Sequence, residues 1–296
     1  SWKPASSRTS GFESLALRLD MSFYIVSTPI GNLEDLSERS IRILRESDII
    51  LCEKKVRALK LISYLRIKNV KLVPYHDSKS EKIFNLIHKE LNNSKNISLI
   101  SDAGTPLISD PGNKLVKKLI ENNFDPIVIP GPSSIISSLV ISGLDIGKFI
   151  FYGFLPKSKN KIEKELLKYL DLQIPVLFFV SKNDMKKVYN ILKDYPKNIF
   201  YSLSKEITKK NEKTLRGKIN DLSEKKLFNF IEKGELILIL NLKYFQEVDE
   251  KIIREEIKLH KMEKISKKDV AYKIREKFQI KKNLSYELTI KYWDEN

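Results

Sequence analysis

Cysteine is nearly absent. Cys52 is the single one in 296 residues, so no internal disulfide can form. It ends the apolar run Ile49-Ile50-Leu51-Cys52, the place of a small core residue, and a reducing, cytoplasmic setting fits. Histidine is almost as scarce: His76, His88 and His260 are scattered and show no metal-ligand spacing, so no metal is expected. No apolar run approaches the roughly 20 residues a membrane-spanning helix needs. Also missing are a Ser-His-Asp order, a CxxC pair, a Walker loop and a GxGxxG turn. These absences remove disulfide scaffolds, spanning helices and the commonest motifs for acyl transfer, dithiol chemistry and dinucleotide binding.

What the chain has in excess is positive charge, +16 in formal terms. A polyanion such as nucleic acid is the partner such a balance favours. Lysine-rich drift in an AT-rich genome gives a similar total, so location says more. Residues 151–230 hold 18 Lys and Arg against 9 Asp and Glu. Hydrophobic content of 42% and charged content of 31% are ordinary for a globular chain. The length leaves room for about two domains.

Residues 1–20 are rich in Ser, contain one lysine and precede Met21. They are expected to be a tag or another non-native extension. A transit peptide is the alternative, opposed by Glu13 and Asp20. From Met21 the pattern alternates. Apolar runs at Phe23–Thr28, Asp48–Glu53, Val70–Pro74, Ile97–Ile100 and Pro126–Ile129 predict strands. Between them, segments at Ser37–Glu46, Ala58–Leu65, Glu81–Leu91 and Asn113–Glu121 have helical spacing. Ser37 is placed as a helix N-cap. This βα alternation predicts a mostly parallel sheet covered by helices. Residues 21–131 are thus expected to be an N-terminal α/β domain. Pro130-Gly131-Pro132 marks its end.

A second α/β domain is expected over 132–245. Its strands are at Phe149–Phe154, Val176–Val180, Ile199–Ser204, Lys213–Arg216 and Glu235–Leu240, forming a mixed sheet. Its helices are at Ile135–Ser142, Ile162–Leu170, Asp184–Leu192 and Ile219–Ile231. Residues 246–296 are expected to be helical, with Ile252, Ile253, Ile257 and Leu259 on one amphipathic segment. Val270, Ile274 and Phe278 point inward from a second, and Leu284, Leu288 and Ile290 mark a third.

The chemistry is expected in three Gly/Pro/Ser loops: Pro29–Asp35, Ser101–Gly112 and Pro130–Ser134. Each follows a predicted strand, and in a parallel sheet all three emerge on one edge, where α/β proteins place ligands. Backbone and small polar groups there suit a nucleotide-like ligand. The residues by themselves leave its identity open.

The run Thr28–Leu36, the run Ser101–Gly112 and Pro130–Ser134 together resemble the tetrapyrrole-methylase superfamily. More narrowly, they resemble its branch of 16S ribosomal RNA ribose methyltransferases. Further matching pieces are Gly153-Phe154-Leu155-Pro156, Lys205-Glu206-Ile207-Thr208-Lys209 with Glu212 and Gly217, Lys233-Gly234-Glu235, Lys267-Lys268-Asp269 and Lys282-Asn283. The resemblance implies a two-domain α/β fold with S-adenosylmethionine in the cleft between the domains, plus a small helical C-terminal region. It implies a homodimer and transfer of methyl to the ribose 2′-hydroxyl of a cytidine in 16S rRNA of the small ribosomal subunit. Carried over position by position, it assigns the cofactor Ile30 and Gly31, Ala103, Gly104, Thr105 and Ile108, and Ser133 and Ser134. It adds Val180, Ile207 and Glu235 from the second domain.

A ribose hydroxyl is a poor nucleophile and benefits from a base. Asp102 and Glu53 are the candidates, with the His76-Asp77 pair as another. The sequence departs from the branch at three places. An acidic-Asp-Thr-Arg run reads Glu53-Lys54-Lys55-Val56-Arg57, an Asn-Glu pair reads Lys79-Ser80, and a Phe-Tyr-Glu-Ser-Pro-His-Arg segment reads Phe178–Asp184. Two other readings stay open at this stage: an RNA- or ribosome-binding relative without catalysis, and a methyltransferase of small tetrapyrrole-like molecules.

Overall fold

The computed structural model describes residues 22–170, 174–195, 199–241, 250–278, 280 and 282–293. The expected extension at 1–20 and the first residues of the expected C-terminal region, 246–249, lie outside the described residues. By their contacts, the described residues form two units. The first runs to Ser138 and includes Glu206–Glu212. The second takes Leu139–Lys205 and the chain from Lys213 onward.

The first unit is built on β1 (Phe23–Val26), β2 (Ile49–Cys52), β3 (Lys71–Pro74), β4 (Ile97–Leu99) and β5 (Ile127–Ile129). They pair in the order β3-β2-β4-β1-β5, every pair parallel. Strands β1, β2 and β4 are buried throughout, as near-continuous apolar runs covered on both faces must be. The helices are α1 (Glu38–Glu46), α2 (Lys55–Tyr64), α3 (Ser80–Asn92) and α4 (Asn113–Glu121). Two apolar layers result. One joins Val26, Leu44, Ile50 and Ile62. The other joins Phe23, Leu51, Ile87, Leu115 and Leu119.

Ser37 caps α1, its side chain accepting from Ser40 N. Ser37→Ala is expected to cost about 1 kcal/mol, read as a lower urea midpoint at unchanged slope. The chain passes from the first unit to the second within α5 (Ser134–Val140).

The second unit carries β6 (Ile150–Phe154), β7 (Val176–Val180), β8 (Phe200–Lys205), β9 (Lys213–Lys218) and β10 (Leu236–Asn241). They are ordered β6-β7-β10-β8-β9. The first pair is parallel and the others antiparallel, the mixed sheet the sequence predicts. Helices α6 (Lys159–Leu170) and α7 (Lys182–Leu192) pack on its core with Phe178, Leu203 and Leu238. A Ser181–Asp184 capping box opens α7.

The single helix expected over Ile219–Ile231 is divided. Ile219–Asp221 is one 3-10 turn, and α8 is only Glu224–Phe230, restarted by Ser223 as N-cap. A serine whose side chain accepts from Lys226 N satisfies a helix start, and apolar spacing alone does not register it.

Three helices end the described chain: α9 (Glu250–Met262), α10 (Lys267–Phe278) and α11 (Lys282–Trp293). Ile253, Ile257, Val270, Ile274 and Phe278 are buried together. Ile252, Leu259, Leu284 and Ile290, read from the sequence as part of the apolar faces, are exposed. On α11 the buried face is Ser285, Leu288, Thr289 and Tyr292. The two hydroxyls close onto Lys282 O and Ser285 O. Satisfied within their own helix, they are buried without the usual polar cost and let the helices approach.

Candidate functional site

The three loops expected to matter leave the carboxyl ends of β1, β4 and β5 in the first unit, and they are stitched together. Ser27 N donates to Ile129 O at 3.1 Å. Thr28 and Gly104 exchange backbone bonds of 2.9 and 3.0 Å, one rung of antiparallel pairing. Thr28 Oγ1 donates to Ser101 O at 3.3 Å. The Ser27 and Thr105 hydroxyls meet at 3.0 Å, and Thr105 Oγ1 donates to Pro132 O at 3.4 Å. Gly104 holds this arrangement at φ +80, a conformation side chains resist. A methyl group on Gly131 would stand 2.9 Å from Ser27 Cβ, so the small residues are what let the loops touch.

Beside this junction is a cavity of about 400 Å³ lined by Ile30, Asp35, Pro132, Ser133, Ile136 and Thr208, among others. Ile30 and Ser133 thus line one cavity. Gly31 faces the segment Glu206–Glu212: a side chain there would collide with Lys209 and come 2.8 Å from Thr208 Oγ1. Ile207 is buried in that segment. Ser134 opens α5, while Ala103 and Ile108 are exposed. Val180 and Glu235 lie in the second unit. There Val180 pairs with Leu236, the residue after Glu235, so the two share one edge of that sheet.

Asp35 and Thr208, which lie in runs singled out from the sequence but were given no site role there, also line this cavity. Thr208 has φ 65 and Glu206 φ 54, a region a β-branched residue such as Thr208 occupies only under constraint. The Thr208 hydroxyl is buried with no hydrogen-bond partner among the described residues. Its backbone N–H donates to Glu212 at 2.6 Å.

A second cavity, about 470 Å³, lies between α2 and the loops after β1 and β4, with no lining residue in common with the first. Asp102 lies on its wall. Its Oδ1 accepts from Lys54 N at 3.2 Å. Its Oδ2 is 3.2 Å from Lys54 Nζ and 3.5 Å from Arg57 Nε. Arg57, out of step in sequence with the related arginine, therefore does reach a carboxylate. Glu53 is 3.7 Å from Lys54 Nζ.

Asp110, not singled out from the sequence, completes the acidic group. Burial, with Glu53 and Asp102 nearby, pushes its pKa up to about 6 against the pull of a Ser101 hydrogen bond. The signal available was the run Ser-Asp-Pro-Gly, but the partner Glu53 is distant in sequence.

The His76-Asp77 pair is structural. Asp77 Oδ1 accepts from Tyr75 Oη at 2.9 Å and from Gly112 N at 3.0 Å, tying the loop after β3 to the start of α4. His76 only caps the following turn. Cys52 is core, as read. Burial, with Asp102 nearby, pushes its thiol up to about 11, which leaves it unreactive at neutral pH. Among the described residues no group of His, Cys, Asp and Glu is arranged to hold a metal ion, and no helix is long and apolar enough to cross a membrane.

A parallel sheet whose carboxyl-edge loops close around two cavities, with a mixed sheet following in the same chain, defines a ligand-binding α/β protein. Within that class the chain belongs to the tetrapyrrole (corrin/porphyrin) methylase family, whose model matches residues 22–223. It is 40% identical over 246 residues to the ribosomal RNA small subunit methyltransferase I of Mesomycoplasma conjunctivae, covering 82% of this chain and 97% of that protein. It is 38% identical to the protein of the same name from Rickettsia prowazekii, covering 75% of this chain and 79% of that one. Among solved structures, diphthine synthase matches with TM-score 0.56 at 14% identity, over 74% of this chain and 88% of that one. A cobalt precorrin-4 methyltransferase matches with TM-score 0.55 at 17% identity, over 74% and 94%. These two likenesses establish the fold alone.

Proposed function

We propose that this protein is an S-adenosylmethionine-dependent methyltransferase of 16S rRNA, acting on the ribose 2′-hydroxyl of a cytidine. The observation that carries the reading is the similarity to proteins named ribosomal RNA small subunit methyltransferase I along nearly their whole length. By the same resemblance it works on RNA of the small subunit, as a cytoplasmic homodimer. The +16 charge agrees with a phosphate-rich partner.

The cavity beside the three loops suits the cofactor. Its volume of about 400 Å³ is that of a small-molecule site. Gly31 lets the segment carrying Thr208 and Lys209 pack closely against the first loop, and Thr208 offers a buried hydroxyl that still needs a partner. Ile30, Gly31, Ser133 and Thr208 would hold the cofactor there, with Ala103, Gly104 and Thr105 supporting the loop. When bound, it supplies an electrophilic methyl group on a sulfonium.

The remaining chemistry belongs to side chains of this protein. The acceptor hydroxyl must be held in line and relieved of its proton. Of the carboxylates proposed from the sequence, Asp102 is already engaged by Lys54 and Arg57. We assign the base to Asp110, which neighbours Glu53 and Asp102. With a pKa of about 6 it is ionised at neutral pH yet binds a proton more readily than an ordinary aspartate. Glu53 raises that affinity.

The test is transfer of label from methyl-labelled cofactor to small subunits that lack the modification, followed by nuclease digestion. Label on a cytidine ribose is the expected result. Label on a base, or cofactor binding with no label in RNA, contradicts the reading.

A further inference from the structure

The larger cavity has a lining unlike that of the proposed cofactor site. Leu33, Leu61 and Ile100 give it apolar walls, Asp102 a carboxylate, and Arg57 and Lys60 two cations. The Asp102 side chain is only 11% exposed and is fixed from both oxygens by Lys54 and Arg57. It is an acceptor held in one orientation by these contacts. Arg57 meets it through Nε, which leaves the terminal nitrogens of the guanidinium for another anion. Lys60 is exposed and has no partner among the described residues.

A planar apolar body, one hydrogen-bond donor to meet a carboxylate, and anions to meet two cations together describe a nucleotide. A carboxylate accepts from the exocyclic amine of cytosine, whereas uracil presents a carbonyl oxygen at the same place. A nucleotide taken out of a stack is read by such edge contacts inside a pocket.

Resting on the proposed function, we infer that this cavity seats the acceptor nucleotide. Asp102 reads the amine of cytosine, and Arg57 and Lys60 hold the adjoining phosphates. This gives the departure at Lys54–Arg57 a role. Lys54 and Arg57 orient the reading carboxylate, and Arg57 also faces the RNA. Asp102 is then a specificity residue and not the proton acceptor.

The test uses the full chain and a fluorescent single-stranded RNA hexamer with one cytidine, compared with the same hexamer carrying uridine. Anisotropy titrations give affinity at several salt concentrations. The unaltered chain is expected to prefer the cytidine RNA by about fivefold or more. Asp102→Asn is expected to erase that preference, since the amide donates to the uracil carbonyl as readily as it accepts from the amine. Arg57→Ala and Lys60→Ala are each expected to lower the salt slope by about 0.7. Leu33→Trp blocks the mouth from an exposed position without touching the core. It is expected to weaken both RNAs at least tenfold.

Calorimetry with S-adenosylhomocysteine shows that the variants are folded and that the other cavity is intact. RNA affinity and slopes that stay at the unaltered values in Arg57→Ala, Lys60→Ala and Leu33→Trp overturn the assignment, as does failure of the unaltered chain to bind either RNA. If the unaltered chain binds no S-adenosylhomocysteine and transfers no label, the proposed function falls. The RNA comparison then still decides the cavity by itself.

Discussion

Asp110→Asn is expected to give a protein that is slower by about 100-fold or more and yet more stable at neutral pH. The two effects share one cause. Burial and two neighbouring carboxylates raise the Asp110 pKa from 3.8 to about 6, so the folded protein holds this proton more tightly than the unfolded chain. Its contribution to stability is therefore largest below about pH 4. It falls as pH rises to about 6 and is flat above that. At neutral pH the native state carries a charge it would rather not have. The amide removes that charge and is expected to recover about 1 kcal/mol, allowing for the partial exposure of the site.

Urea unfolding at neutral pH and near pH 4 reads this directly: the variant's advantage is present in the first and gone in the second. The rate supplies the other half. With Asp110 as the base, turnover rises with pH to a plateau above about 6. Glu53→Gln moves that rise to lower pH, because it removes one of the charges raising the pKa. A pH profile identical in Asp110→Asn and the unaltered protein would falsify the assignment of the base.

The second large effect is structural. Gly112→Ala is expected to destabilise the first unit by about 3 kcal/mol. Gly112 has φ +139, and a methyl group there would run into the Leu107 side chain and stand 3.0 Å from Leu99 Cδ2. Leu99 is a buried residue of β4 and has little room to yield. The backbone is fixed as well, since Gly112 N donates to Asp77 and Gly112 O accepts from Val116 N at the start of α4. A thermal midpoint within about 2 °C of the unaltered protein would show that the turn relaxes instead.

Much of the first unit was legible because its strands are short apolar runs between residues that stop them. Ile49–Cys52 and Ile97–Leu99 need no tertiary information to be read as buried strands, and Ser37 marks a helix start by its own chemistry. The three loops were legible for the same reason: glycine and proline declare where the backbone must turn. Other features depend on partners the sequence does not bring together. Asp110 owes its raised pKa to burial and then to Glu53, which lies just past β2, and the link from Asp77 to Gly112 spans two loops. Apolar periodicity also misplaced the buried face of α11. It weighs Leu284 and Ile290 as inward and gives no credit to Ser285 and Thr289, which are buried because their hydroxyls are satisfied locally.

The seven residues Glu206–Glu212 leave β8, join the first unit, and return to begin β9. One consequence concerns dissection of the chain. A fragment ending near Ser138 carries all five parallel strands but lacks the piece that packs against Gly31 and supplies Thr208. Added back as a separate peptide, that piece is a natural candidate for fragment complementation. Its capture by the truncated protein would report, without any catalytic assay, on how well the wall beside Gly31 is formed.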